Sequence, residues 1–254
     1  MAIICIDAGH GGHDPGSIGK RSNEKTHMLN IALHMKPLLE KSGHKVILTR
    51  STDTYLTLSQ RAQIANRNKA DIFVSLHNNS ATGTTATGFE TFIFNGNVSN
   101  NTRKLQNNVH DTIIKGLNLR DRGKKRANFG VLRESHMPAV LIEYAFINNP
   151  NDEAILINDW RKLAQLTVDG INLYFGIKTN SVPSQPKPQP TPSRANNLTK
   201  TQLDDVRKAL KTAYESGDFF TDHSKNVENM SREQIEDLIL FNLVTRDYIN
   251  RKGK

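Results

Sequence analysis

Short apolar runs alternate with helix-periodic stretches along roughly the first 175 residues, and that alternation constrains the fold of this chain more than any other feature. Runs at residues 3–7, 45–49, 71–76, 88–94 and 139–143 read as strands, and a shorter strand is expected near 130–133. Over residues 23–41, Met28, Leu29, Ala32, Leu33, Met35, Leu38 and Leu39 recur at helical spacing, and Gly43 stops the helix. Further helices are expected at 58–68, 99–117, 152–157 and 159–175. The alternation predicts an α/β domain with a mostly parallel twisted sheet and helices on both faces.

Five of the nine prolines fall between Pro183 and Pro192. Alternating proline favours the extended polyproline II conformation and makes a semi-rigid spacer. The chain of 254 residues therefore divides into a domain at 1–178, a proline-rich linker at 179–196 and a small all-helical domain at 197–254. In the last part Leu203, Val206, Leu210, Ala213 and Tyr214 recur at helical spacing, and Ser231-Arg-Glu-Gln234 has the form of a capping box.

The net charge is +9, which suits an anionic partner. No zinc-finger spacing or base-stacking aromatic set points to nucleic acid. No run approaches the roughly 18 apolar residues that span a bilayer. Cys5 is the only cysteine, so no internal disulfide forms, and its place within the first strand marks it as a small buried residue rather than a nucleophile. With no leader segment in the sequence, the expected site of synthesis is the cytoplasm.

Polar residues recur where these elements meet. His10 follows the first apolar run in Asp7-Ala-Gly-His-Gly-Gly12, and His77 follows another in Ser75-Leu-His-Asn-Asn79. Glu143 ends the most apolar run, Ala139-Val-Leu-Ile-Glu143, and Glu24 stands where the helix dipole favours a carboxylate. If the strands run parallel, His10, His77 and Glu143 emerge at one sheet edge, where the helix carrying Glu24 also opens. Ligands bind outside the carboxyl ends of strands in such sheets. Two imidazoles, one carboxylate and an open position suit a catalytic zinc ion, and a second carboxylate beside them suits a general base acting on water there.

Across residues 3–175 the sequence resembles the zinc-dependent N-acetylmuramoyl-L-alanine amidases, amidase type 3, of bacterial autolysins and phage endolysins. The stretches that carry the resemblance are Asp7 to Gly12, Asn23-Glu24-Lys25, Leu48-Thr-Arg50, Leu58-Ser-Gln-Arg61 with Ala65-Asn66, Ser75 to Asn79, Gly88-Phe-Glu90, Asp121-Arg-Gly123, Val131-Leu-Arg133, and Met137 through Glu143 to Pro150. The resemblance implies a phosphorylase/hydrolase-like α/β fold. It implies one Zn2+ ion on His10, Glu24 and His77, with Glu143 as the catalytic glutamate. The implied substrate is bacterial peptidoglycan, cut between N-acetylmuramic acid and L-alanine. Such lysins commonly anchor through a small domain behind a linker, so 197–254 is expected to bind the cell wall, including its anionic polymers. The absent leader points to a phage endolysin that acts on the wall after release; a sporulation or autolytic amidase is the alternative. A non-catalytic wall-binding protein and a peptidase acting within the stem are further readings.

Other residues carry weaker expectations. His13 lies near the site loop. His27, His34, His44, His110, His136 and His223 are expected on the surface or on helix faces. The cluster Arg120, Arg122, Lys124, Lys125 and Arg126 is expected in a solvated loop, and Arg133 in either a structural ion pair or contact with a stem carboxylate. The glycines around His10 are expected to keep the backbone low so that a bulky substrate reaches the metal.

Overall fold

A computed structural model describes residues 1–177. The expected linker and C-terminal helical domain, at 179–196 and 197–254, lie outside the described residues. Six strands and six helices follow in the order β1 (Ile3–Ala8), α1 (Glu24–Lys41), β2 (Lys45–Leu48), α2 (Leu58–Arg67), β3 (Ile72–Asn79), β4 (Phe89–Phe94), α3 (Asn100–Gly116), β5 (Asp121–Ala127), α4 (Gly130–Arg133), β6 (Ala139–Phe146), α5 (Pro150–Asn158) and α6 (Trp160–Tyr174).

The strands form one sheet in the order β2-β1-β3-β6-β4-β5. β1, β2, β3 and β6 pair in parallel, β4 joins β6 antiparallel, and β5 pairs parallel with β4. The mostly parallel sheet expected from the sequence is therefore present, with one antiparallel junction. β1 has β2 on one side and β3 on the other, so the strand order reverses there. The crevice at such a reversal is where open α/β sheets bind ligands.

Alternation along each strand sorts the core onto two faces. Ile4, Ile6, Val74, Leu76, Val140 and Ile142 pack with Met28, Ile31, Met35, Leu105, Leu163 and Val168 of α1, α3 and α6. On the opposite face Cys5, Phe73, Ala139 and Leu141 pack with Ala65, Val131 and Leu132 of α2 and α4. Helices thus cover both faces, and none among the described residues is long and apolar enough to cross a membrane.

Caps explain where the helices begin. Asn23 accepts a hydrogen bond from the Thr26 amide, which starts α1 at Glu24. Thr57 and Gln60 cap α2 reciprocally. Two expectations need correction. Residues 130–133 form a helical turn, not a strand; Val131 and Leu132 are buried there beside α2. The basic cluster is not a loop: Arg122, Lys124, Lys125 and Arg126 belong to β5, an edge strand.

Candidate metal centre

β3 continues to Asn79 and β6 to Phe146, so His77 and Glu143 lie within these strands rather than after them. They are direct partners across the β3–β6 ladder. β1 ends at Ala8, and Gly9 closes the strand by donating to the Leu76 carbonyl at 3.1 Å. The chain then turns through His10, whose φ of 59° lies in the left-handed region. That conformation is costly for a residue with a β-carbon and needs support from its surroundings.

Two buried arginines give that support. The Arg61 guanidinium donates to the carbonyls of Ala8 and His10 at 2.6 and 2.7 Å and to Asp7 Oδ1 at 2.9 Å. Arg50 donates to the carbonyls of Ala8 and Gly9 at 2.9 and 2.8 Å. Asp7 also accepts from the hydroxyls of Thr49 and Ser75, each at 2.7 Å. Burial by itself pushes the Asp7 carboxyl up, but Arg61 and the two hydroxyls outweigh it and hold the group below the usual carboxylate range. The sequence pattern assigns no role to Asp7, Arg50 or Arg61. A charged residue within an apolar run, as at Asp7, was the one local sign that a buried partner must exist.

The three candidate ligands converge. One donor atom from each of His10, Glu24 and His77 lies within 4.8 Å of the others. Glu24 Oε1 sits 3.1 Å from His10 Nε2 and 2.9 Å from His77 Nδ1. The same oxygen accepts from the Asn78 amide at 2.9 Å, and Oε2 accepts from the Ser17 amide at 2.8 Å, so the carboxylate is fixed in orientation. His10 Nδ1 lies 2.8 Å from Asp14 Oδ2, which turns Nε2 toward Glu24 and His77. Burial raises the Glu24 carboxyl, yet the two imidazoles prevail and keep it well below the usual range. A deprotonated carboxylate and two imidazoles form a donor set that suits zinc with one position open. The residues present therefore fit the ion.

Glu143 faces this centre differently. Its Oε2 is enclosed and has no hydrogen-bond partner among the described residues, although the residue as a whole is only partly buried. Burial, followed by the nearby charges of Glu24 and Glu90, pushes its carboxyl well above the ordinary value. The two carboxyls are thus pushed in opposite directions: Glu24 is held ionised, whereas Glu143 has a raised affinity for a proton. Glu90, opposite Glu143 on β4, had no role assigned from sequence and is buried beside the site.

The glycines near His10 serve packing. A β-carbon on Gly16 would fall 2.6 Å from His10 Cδ2 and 2.8 Å from Glu24 Oε2. One on Gly11 would fall 2.3 Å from the Thr54 carbonyl oxygen. Substrate access is therefore not what demands glycine at position 11.

His13 is exposed and stacks on Tyr55 with ring centroids 4.1 Å apart. Arg133 contacts Glu134 at 3.4 Å and Asn128 Oδ1 at 2.8 Å, which is the structural alternative. His27 and His110 lie on the buried faces of α1 and α3, the latter on Thr91 and Asp121 at 3.0 Å each, whereas His44 is buried before β2 rather than on the surface.

A family model described as N-acetylmuramoyl-L-alanine amidase matches residues 4–173. The sporulation-specific N-acetylmuramoyl-L-alanine amidase of Bacillus subtilis (strain 168) is 41% identical over 185 residues, 71% of each chain. The endolysin of Bacillus phage SPP1 is 37% identical over 198 residues, 75% of this chain and 72% of that protein. Among solved structures, the catalytic domain of CwlV, an N-acetylmuramoyl-L-alanine amidase from Bacillus (Paenibacillus) polymyxa var. colistinus, superposes with a TM-score of 0.66 at 38% identity; the match covers 70% of this chain and 100% of that one. The N-acetylmuramoyl-L-alanine amidase from Clostridium difficile 630 gives a TM-score of 0.66 at 40% identity, covering 70% of this chain and 98% of that one.

Proposed function

The chain belongs to the N-acetylmuramoyl-L-alanine amidase family of peptidoglycan hydrolases, and from that premise we propose that His10, Glu24 and His77 hold one zinc ion while Glu143 is the catalytic residue. The observation that carries the assignment is convergence: three donor atoms meet at the carboxyl edge of the sheet, and Glu143 stands in register opposite one of them.

The bond cut is the amide between N-acetylmuramic acid and the L-alanine that begins the peptide stem. Zinc at this position would supply Lewis-acid polarisation of water and of the scissile carbonyl. Glu143 Oε2, enclosed and without a hydrogen-bond partner among the described residues, takes the proton from the attacking water and returns it to the leaving amine of L-alanine. Asp14 fixes the His10 ring, and the amides of Ser17 and Asn78 fix the Glu24 carboxylate, so little reorganisation accompanies turnover.

Metal content and hydrolysis rate, measured on the same purified samples, test this reading. Glu143→Gln should retain zinc and lose roughly 10²- to 10⁴-fold in kcat. His77→Ala should lose the metal. A chelator should abolish wild-type turnover, and added zinc should restore it. A fully active Glu143→Gln enzyme would sink the catalytic assignment.

For the biological setting we propose a lytic enzyme made in the cytoplasm and acting on the wall after release. The likeness to the phage SPP1 endolysin supports this. The likeness to a sporulation-specific amidase supports the second reading, release by a sporulating cell. A holin gene beside this one favours the first, and sporulation genes favour the second.

A further inference from the structure

β5 carries one residue more than its partner. Phe89 pairs with Asp121 and Thr91 with Lys124, so two steps along β4 match three along β5. Gly123, with φ of 87°, sits in the extra step. Such a bulge changes which side chains share a face. Lys124 turns to Asp111 of α3, 2.8 Å away. Arg122 and Lys125, three positions apart, both turn to the other face and meet Glu90 Oε2, the arginine through Nε at 2.9 Å.

Glu90 is buried and opposes Glu143 on the next strand. Its Oε1 accepts from Asn79 Nδ2 at 2.5 Å, so the network runs back to the strand of His77. Across the sheet edge stand His77, Glu143, Glu90 and then the two cations. One carboxylate oxygen faces two full positive charges, which leaves a surplus of one. Arg122 lies over the Phe146 ring at 4.7 Å, and its Nη2 donates to no group among the described residues. Both cations remain partly open to solvent, at 28% and 38%.

We propose that Arg122 and Lys125, fixed by Glu90, bind a carboxylate on the second residue of the peptide stem and so favour stems in which that group is free rather than amidated. The inference rests on the amidase reading and deepens it. Spacing supports it: adjacent strands are about 4.8 Å apart, which puts the Arg122 backbone roughly 10 Å from that of Glu143. The arginine side chain reaches back over Glu90, into the intervening space. A peptide advances about 3.5 Å per residue, so a carboxylate one residue beyond L-alanine arrives in that same span when the scissile amide lies at Glu143. A guanidinium with its Nη2 free among the described residues and an ammonium with spare donors suit a carboxylate. A carboxamide offers no charge in return.

The test uses the full chain and two synthetic N-acetylmuramoyl peptides that differ only at the second stem residue, one with a free carboxylate and one with a carboxamide. The readout is the ratio of their kcat/KM values. Wild type should prefer the acid by about tenfold, the scale of one charge-assisted contact. Arg122→Gln and Lys125→Gln should each bring the ratio toward one, chiefly through KM on the acid, and Lys125→Arg should restore it. A variant that only folds poorly lowers both values and leaves the ratio alone. A wild-type ratio near one, or a ratio unchanged in both glutamine variants, overturns the proposal. Turnover of neither peptide by wild type would instead overturn the amidase reading beneath it.

Discussion

His27 lies on the buried face of α1, one turn after Glu24, and its Nε2 has no hydrogen-bond partner among the described residues. Burial lowers its pKa from 6.5 to about 4, against an opposing pull from Glu153 and Glu24. The unfolded chain therefore binds more protons than the folded one between those two values, so stability falls as pH drops through that window. Denaturant titrations of the metal-free protein at pH 4.5, 5.5 and 6.5 should show the slope. His27→Leu should reduce it by up to about 1.4 kcal/mol per pH unit, the weight of one proton. Equal slopes in the two proteins would contradict the assignment. His44 and His110 are lowered in the same direction by burial, so the slope shrinks without vanishing. At this scale the sequence showed most of the candidate site, because His10, His77 and Glu143 each interrupt or end an apolar run. It did not show Asp7, Arg50 and Arg61 as one unit. Their partners come from 42 to 54 positions away, and no local pattern marks an arginine as buried.

Among the elements, β5 is the one whose form depends most on a single residue. Gly123 adopts a left-handed φ, and a β-carbon there would meet nothing within 4 Å. The cost of Gly123→Ala is therefore conformational alone, about 1 kcal/mol. Denaturant unfolding should show that loss while metal content stays unchanged, since β5 lies three strands from β3 in the sheet order. A variant as stable as wild type would mean that Gly123 does not hold the bulge. Periodicity placed α1, α2, α3 and α6 to within one or two residues, because each buries a stripe at helical spacing. β5 escaped it for a physical reason: Asp121-Arg-Gly-Lys-Lys-Arg-Ala127 meets charged partners on both faces, so no apolar alternation exists to be read. The turn at 130–133 is not distinguishable from a strand in the sequence, because two apolar residues in a row look the same in a short helix as in a short strand.

For the whole molecule, the match to the free-standing CwlV catalytic domain covers all of that chain and 70% of this one. We propose on that ground that residues 1–178 fold and act alone, and that the part beyond the proline-rich segment holds the enzyme on the wall. A chain ended after residue 178 should keep turnover of a soluble muramoyl peptide within a few-fold. Its binding to intact cell walls should fall at least tenfold in a sedimentation assay. Undiminished wall binding would refute the division of labour. The sequence by itself determined the α/β alternation, the apolar strands and the set of polar residues at their ends, because these depend on neighbours a few positions apart. Only the tertiary structure decided that β6 lies between β3 and β4. That order sets Glu143 opposite His77 on one side and Glu90 on the other. Strand order is fixed by contacts between residues far apart in the chain, which leave no period in the sequence to read.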